Sequence, residues 1–248
     1  MARSLSVMMT EKESSKISAT HPRVSLAACL LHRLLDVNMG NTIVLADDHA
    51  VVRDGVKLIL EHEGYEVVGV ASDGLEAVRL ARALRPDVAV LDRAMPILNG
   101  VDAAADLRQA SPNTRLVLLT MDTDENHLLE ALHAGFRGCV LKSYEARELV
   151  EAIRAVLRGG IYLHPGLSRV VVEAYVSKTE IKADPLSARE RQVLQLLAEG
   201  KKTREVAALL GVSIKTAESH RSRIMKKLDI SDTAGLVRYA LRQGVTQL

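Results

Sequence analysis

The chain is expected to fold as a doubly wound α/β domain around a five-stranded parallel sheet, followed by a separate all-α domain. Three observations carry this. Between residues 41 and 158, five short β-branched runs alternate with stretches of helical length and periodicity. Beyond Pro185 the strand signal disappears and only helical patterning remains. The sign of the charge also reverses: residues 41–158 hold 13 Lys/Arg against 19 Asp/Glu, whereas residues 184–248 hold 12 against 7. A chain of 248 residues has material for two cores of ordinary size.

The strand runs are Thr42-Ile43-Val44-Leu45-Ala46, Glu66-Val67-Val68-Gly69-Val70, Val88-Ala89-Val90-Leu91, Leu116-Val117-Leu118-Leu119 and Gly138-Cys139-Val140-Leu141. Their near-continuous apolar character means burial on both faces, as in a parallel sheet covered by helices. The intervening helices are expected near 50–62, 74–84, 100–110, 124–134 and 145–158. Gly159-Gly160 closes the last of them, and residues 161–183 have the mixed polarity of a linker with a short helix at 167–177. Four further helices are expected at 187–199, 203–210, 213–227 and 232–242, stopped in turn by Gly200, Gly211 and Gly244. The organisation is therefore an N-terminal extension over 1–39, an α/β domain over 40–158, a linker over 159–183 and a helical domain over 184–248. The extension is rich in Ser, Thr and Lys, and Met39-Gly40 stands directly before the first strand, so residues 1–39 read as a tail or as sequence upstream of the true start.

Composition narrows the function. Aromatics are only 2% of the chain and Trp is absent, which argues against broad stacking platforms for single-stranded nucleic acid. Cys29 and Cys139 have no metal-site spacing and do not suggest a secreted disulfide framework, so a reducing cytoplasm is expected. No apolar run approaches the roughly 18 residues of a membrane span. Leu26-Ala27-Ala28-Cys29 looks like a lipoprotein cleavage site, but Ser18 to Arg23 stand where an apolar signal core should precede it, and export is not expected.

In open α/β sheets ligands gather outside the carboxyl ends of the strands. Asp47 and Asp48 end the first strand, Asp92 the third, Thr120 the fourth and Lys142 the fifth. Each alone is ordinary, since a strand-terminal Asp often caps a helix and a Lys is usually solvated; their joint placement points to a site. Three converging carboxylates need a cation between them, and an oxygen-only set suits Mg²⁺. Such an ion would let the Asp92 carboxylate attack phosphorus despite its own charge. Lys142 and the Thr120 hydroxyl would serve the phosphoryl oxygens.

At Ala46-Asp47-Asp48-His49, Leu91-Asp92-x-x-Met95-Pro96-x-x-Asn99-Gly100, Leu119-Thr120 and Leu141-Lys142 the chain resembles the receiver domains of two-component response regulators. The resemblance implies a CheY-like receiver in which Asp92 accepts a phosphoryl group from a histidine kinase. It further implies that Asp47 and Asp48 hold Mg²⁺ with Asp92, that Thr120 is the switch hydroxyl and that Lys142 contacts the phosphoryl group. Two residues depart from the pattern. Cys139 stands where an aromatic is common, three residues before the lysine, so an aromatic readout is not expected; Arg93 adds a positive charge directly after the acceptor.

In the basic half, Thr203 to Leu228 reads as helix, glycine-containing turn and helix, with Ser213 as N-cap of the second helix. At 100° per residue Ala217, Ile224 and Leu228 share one face. Lys215, Ser219, Ser222 and Lys226 lie opposite, flanked by Thr216, Glu218 and Arg223. A solvated helix face would look similar, but the preceding scaffold helix and tight turn suit insertion into a major groove. Leu186-Ser187-Ala188-Arg189-Glu190, Val206-Ala207, Val212-Ser213, Lys215-Thr216, His220 and Lys227-Leu228 resemble the LuxR-type helix-turn-helix, and the whole chain the NarL/FixJ arrangement. That resemblance implies a transcriptional regulator, not an enzyme, binding double-stranded DNA as a homodimer.

Opposite charges suggest that the receiver rests against the recognition helix and competes with DNA until Asp92 is phosphorylated. Rival readings fare worse. Phosphatases of the haloacid dehalogenase type pair their nucleophile with an Asp two residues on, where this chain has Ala94. Quorum-sensing regulators line their ligand pocket with Trp and Tyr. A DNA-binding regulator whose receiver works without phosphorylation is the remaining alternative, opposed by the intact five-residue set.

Overall fold

The computed structural model describes residues 40–121, 124–142, 146–165 and 184–246, apart from the side chain of Glu125. The N-terminal extension and the linker helix expected at 167–177 lie outside the described residues.

Each apolar run becomes a strand: β1 Thr42–Ala46, β2 Glu66–Ala71, β3 Val88–Asp92, β4 Arg115–Thr120 and β5 Gly138–Leu141. They alternate with α1 Ala50–His62, α2 Gly74–Leu84, α3 Gly100–Ala110, α4 Glu125–Ala134 and α5 Ala146–Leu157. All pairings are parallel. A sixth strand, β6 Tyr162–Leu163, corrects the expected count of five; it adds to the edge of β5 through Gly138↔Tyr162 and Cys139↔Leu163. Two residues are too few to give a periodic signal. The sheet order is β2-β1-β3-β4-β5-β6.

Alternation along the strands builds two cores. Ile43, Leu45, Val88, Val90, Val117 and Leu119 pack with Leu60 of α1 and Leu149, Val150, Ile153 and Val156 of α5. Their neighbours Ala46, Ala89, Leu91, Leu116 and Leu118 pack on the other face with Val78 of α2, Leu107 of α3 and Leu128 of α4. Burying apolar side chains on both sheet faces is the dominant favourable term here, at roughly 25 cal/mol per Å². Helix starts are fixed by side-chain caps: Asp73 accepts from the Glu76 N–H, Asn99 from Asp102 and Asp124 from Asn126.

The C-terminal part is helical, with α6 Ala188–Ala198, α7 Thr203–Leu209, α8 Ile214–Leu228 and α9 Thr233–Arg242. Its core gathers Val193, Leu194, Leu196 and Leu197 of α6 with Val206, Ala207, Ala217, Ile224, Leu236 and Ala240. A capping box starts α6, Ser187 accepting from the Glu190 N–H while Glu190 accepts from the Ser187 N–H. Glu190 also takes the ammonium of Lys227 at 2.6 Å, tying the start of α6 to the end of α8. These contacts hold the Glu190 carboxyl down at about 2, the Lys227 hydrogen bond being the largest cause.

Candidate phosphorylation site and DNA-binding face

Parallel strands whose carboxyl ends lie side by side bring Asp47, Asp48, Asp92, Thr120 and Lys142 together. Asp47 and Asp92 are buried, as is Thr120, whereas Asp48 is exposed. The Lys142 ammonium stands 2.7 Å from Asp47 Oδ2 and 2.9 Å from Asp92 Oδ2. Burial pushes the Asp92 carboxyl up to about 6, against the pull of Lys142 and of the Ala94 backbone N–H. Burial also opposes the charge on Lys142, but its hydrogen bonds and charge pairing with Asp47 and Asp92 outweigh this and raise its pKa. Thr120 is one residue past Leu119, the partner of Asp92 in the ladder, and its carbonyl accepts the Lys142 N–H at 2.8 Å.

Asp47, Asp48, His49 and Asp92 offer ligand atoms within 4.8 Å of one another. His49, to which the sequence motif assigns no role, belongs to this cluster. Its Nδ1 lies 2.7 Å from Asp48 Oδ1, and its backbone N–H donates to Asp47 Oδ1 at 2.9 Å. Only its adjacency to the two aspartates could have signalled this. Three carboxylates converging beside one ammonium form a hard oxygen donor set that fits a small divalent cation.

The loop after Asp92 returns tightly to the strand. A Cβ on Gly100 would fall 2.1 Å from the Asp92 carbonyl oxygen, so glycine is required for α3 to begin there. Ile97, by contrast, is a β-branched residue at φ 69, in the left-handed region that favours glycine. Cys139 is fully buried on β5, and burial pushes its thiol up to about 12, which leaves it a packing residue.

On α8, Ala217 and Ile224 are buried and Leu228 packs against the same core, as the helical periodicity indicates. Lys215, Thr216, Ser219, Ser222, Arg223 and Lys226 are all exposed. Lys215, Thr216, Ser219 and Arg223 line one open concavity with Ser213 and His220.

The two parts meet, but not as expected. The polar contacts between them come from α6 and the end of α9, and leave the outward face of α8 exposed. Arg191 pairs with Asp102 of α3 at 2.9 Å and with Glu130 of α4. Gln195, fully buried, accepts the Asn99 N–H at 2.9 Å and donates to the Met95 carbonyl at 2.8 Å. Glu199 accepts the Ile97 N–H at 3.0 Å. Arg191, Gln195 and Glu199 are spaced by four and therefore share one stripe of α6. Near the end of α9, His127 Nε2 lies 3.2 Å from the Gln243 carbonyl, and the Arg93 guanidinium packs so near Gly244 that a Cβ there would be 2.8 Å away. The expected cover over the recognition helix is corrected: acidic Asp102 and Glu130 engage Arg191 of α6 instead.

Comparison with known proteins agrees with this architecture. Residues 43–154 match the response regulator receiver domain, and residues 184–240 match the bacterial regulatory proteins of the luxR family. The chain is 39% identical over 210 residues to the oxygen regulatory protein NreC of Staphylococcus carnosus, covering 81% of this chain and 97% of that one. It is 36% identical to the transcriptional regulatory protein MctR of Rhizobium johnstonii, covering 82% and 94%. Among solved structures, RcsB of Salmonella enterica serovar Typhimurium, bound to promoter rprA in the presence of the phosphomimetic BeF3⁻, aligns with a TM-score of 0.55. That alignment has 27% identity and covers 81% of this chain and 98% of RcsB.

Proposed function

Because the chain belongs to the two-component response regulators with a LuxR-type DNA-binding domain, which are DNA-binding proteins and not enzymes, we propose that phosphorylation of Asp92 controls its binding to DNA. The observation that carries this reading is the Asp92 carboxylate, buried at a strand end and paired with Lys142 beside a second buried carboxylate, Asp47. In transfer from a histidine kinase, an Asp92 oxygen bonds to phosphorus as the bond from phosphorus to the donor histidine breaks, its electron pair returning to the imidazole. Lys142 is placed to neutralise the equatorial oxygens, and Thr120 to donate a hydrogen bond to one of them.

Asp47, Asp48 and Asp92 would hold Mg²⁺, in keeping with the clustering of their oxygens. The ion supplies charge neutralisation for the incoming phosphoryl group.

The exposed face of α8 is the proposed DNA contact, with Lys215, Thr216 and Ser219 nearest the bases and Ser222, Arg223 and Lys226 nearer the phosphates. RcsB has been solved as dimers on DNA, and a homodimer on paired half-sites is proposed here by that likeness. A cytoplasmic location fits a DNA-binding regulator, and among the described residues no helix is long and apolar enough to cross a membrane. Domain limits at 40–158 and 184–248, with a linker over 159–183 between them, belong to the same proposal.

Incubating the protein with acetyl phosphate and Mg²⁺ tests the chemistry. One phosphoryl group per chain is expected, absent from Asp92→Asn; equal labelling of that variant would refute the assignment.

A further inference from the structure

Helix α8 carries five Lys/Arg and a single acidic residue, Glu218. That side chain is exposed on the second turn, and among the described residues no hydrogen bond or ion pair holds its carboxylate. The basic residues at helical spacing leave it alone: Lys215 does not pair with it, and Arg221 donates instead to the Thr233 hydroxyl at 3.0 Å. Lys215, Glu218 and Ser222 follow one another at spacings of three and four, and so form one exposed stripe with Ser219 beside it. Glu218 thus stands within the face that meets DNA in the proposed function, yet serves neither the helix cap nor the core.

An ionised carboxylate only accepts hydrogen bonds. Entering a DNA groove, it loses water and approaches a polyanion, and a charge left without a donor there is costly. Phosphate oxygens are acceptors and cannot offset that loss. In the major groove the donors are the exocyclic amino groups, N4 of cytosine and N6 of adenine. The two are not equivalent. Adenine's amino group lies between two acceptors, its own N7 and the thymine O4, whereas cytosine's has an acceptor on one side, the guanine O6. Cytosine is therefore the base that best satisfies a carboxylate.

Resting on the reading of α8 as the DNA contact, we propose that Glu218 is a specificity-determining residue that accepts a hydrogen bond from the N4 amino group of one cytosine in each half-site. The same charge works against every other base at that position, because the carboxylate is then left among acceptors without a donor. Lys215, three residues earlier on the same stripe, offers the opposite chemistry, an ammonium with three donors for guanine O6 and N7. The stripe therefore discriminates with a donor and an acceptor side by side, while the net basic charge of α8 supplies the attraction to the duplex as a whole.

The test uses the full chain, treated with acetyl phosphate and Mg²⁺, as wild type, Glu218→Gln and Glu218→Ala. Each protein selects duplexes from a random-sequence pool, and affinities are then measured for the wild-type site with every base pair in turn at the position that responds to substitution. Wild type should prefer cytosine there and bind the other bases roughly tenfold or more weakly. Glu218→Gln keeps the length of the side chain but presents an amide, which suits adenine N6 and N7, and should move the preferred base to adenine. Glu218→Ala should lose preference at that position alone, while binding an unrelated duplex roughly threefold tighter because one negative charge is gone. A uniform gain in affinity with unchanged base preferences in both variants would mark Glu218 as a solvated charge and overturn the proposal, leaving α8 as the DNA contact. A responding position at which wild type selects a base other than cytosine would overturn the assignment of the base. Failure of wild type to enrich any sequence would overturn the DNA-contact reading and the proposal together.

Discussion

Lys142 holds its ammonium 2.9 Å from the carboxylate of Asp92, linking the carboxyl ends of β5 and β3. The pair does not fully offset the burial of Asp92, whose carboxyl is pushed up to about 6. A carboxyl whose folded pKa lies above the unfolded value of about 3.9 adds stability below that value and loses it as pH rises through the folded pKa. In a chelating buffer at pH 7.5 the ionised Asp92 is therefore a net cost. Asp92→Asn should raise the melting temperature there by a few degrees, on the order of 1 to 3 kcal/mol. Thermal scans from pH 7.5 down to 4 should show the gain shrinking toward zero. A gain that grows on acidification would contradict this account of the site.

Glu190 titrates in the opposite sense. Its carboxyl is held down at about 2, first by Lys227 and then by its capping bonds, below the ordinary glutamate value of about 4.3. Its contribution is present above that ordinary value and is lost as pH falls toward 2. Glu190→Gln should lower the stability of the helical part at pH 7 and flatten its loss between pH 5 and 2. Circular dichroism across that range checks it; parallel acid curves for the two proteins would count against the Glu190–Lys227 tie.

Gly100 is a steric requirement. A methyl group 2.1 Å from the Asp92 carbonyl oxygen cannot be relieved by a flexible side chain, because the obstacle is backbone. Gly100→Ala should cost about 3 kcal/mol or more and impair labelling of Asp92, both through displacement of α3. Urea unfolding measures the cost, and a change within about 0.5 kcal/mol would show that α3 moves away freely.

On α8 the proposed division of labour separates two lysines. Lys226→Ala should weaken binding to all duplexes and reduce the salt slope by about 1. Lys215→Ala should relax sequence preference, at about 1 to 3 kcal/mol on the preferred site. Titrations over a panel of duplexes at several salt concentrations distinguish them; indistinguishable variants would remove the basis for placing Lys215 at the bases.

Strand and helix placement was legible because buried parallel strands produce continuous apolar runs, and Asp47, Asp48, Asp92, Thr120 and Lys142 stood at their ends. The recognition helix was legible from the spacing of Ala217 and Ile224. What stayed hidden depends on contacts between distant segments. Tyr162–Leu163 form a strand only because β5 offers an edge. Gln195 sits within Val193-Leu194-Gln195-Leu196-Leu197, where a polar residue in an apolar run hints at burial without naming a partner. Overall charge pointed to contact between the two parts, but could not choose between α8 and Arg191 of α6. That choice follows from the positions of Asp102 and Glu130 on adjoining helices.

The central claim is that phosphorylation of Asp92 controls DNA binding. Its most direct test is the affinity of full-length wild type and Asp92→Asn for a duplex selected by the protein from a random pool, with and without acetyl phosphate and Mg²⁺. The wild type, shown by mass to carry the phosphoryl group, should bind roughly tenfold tighter, and Asp92→Asn should not respond. An unchanged affinity of the labelled wild type, or an equal gain in Asp92→Asn, would contradict it.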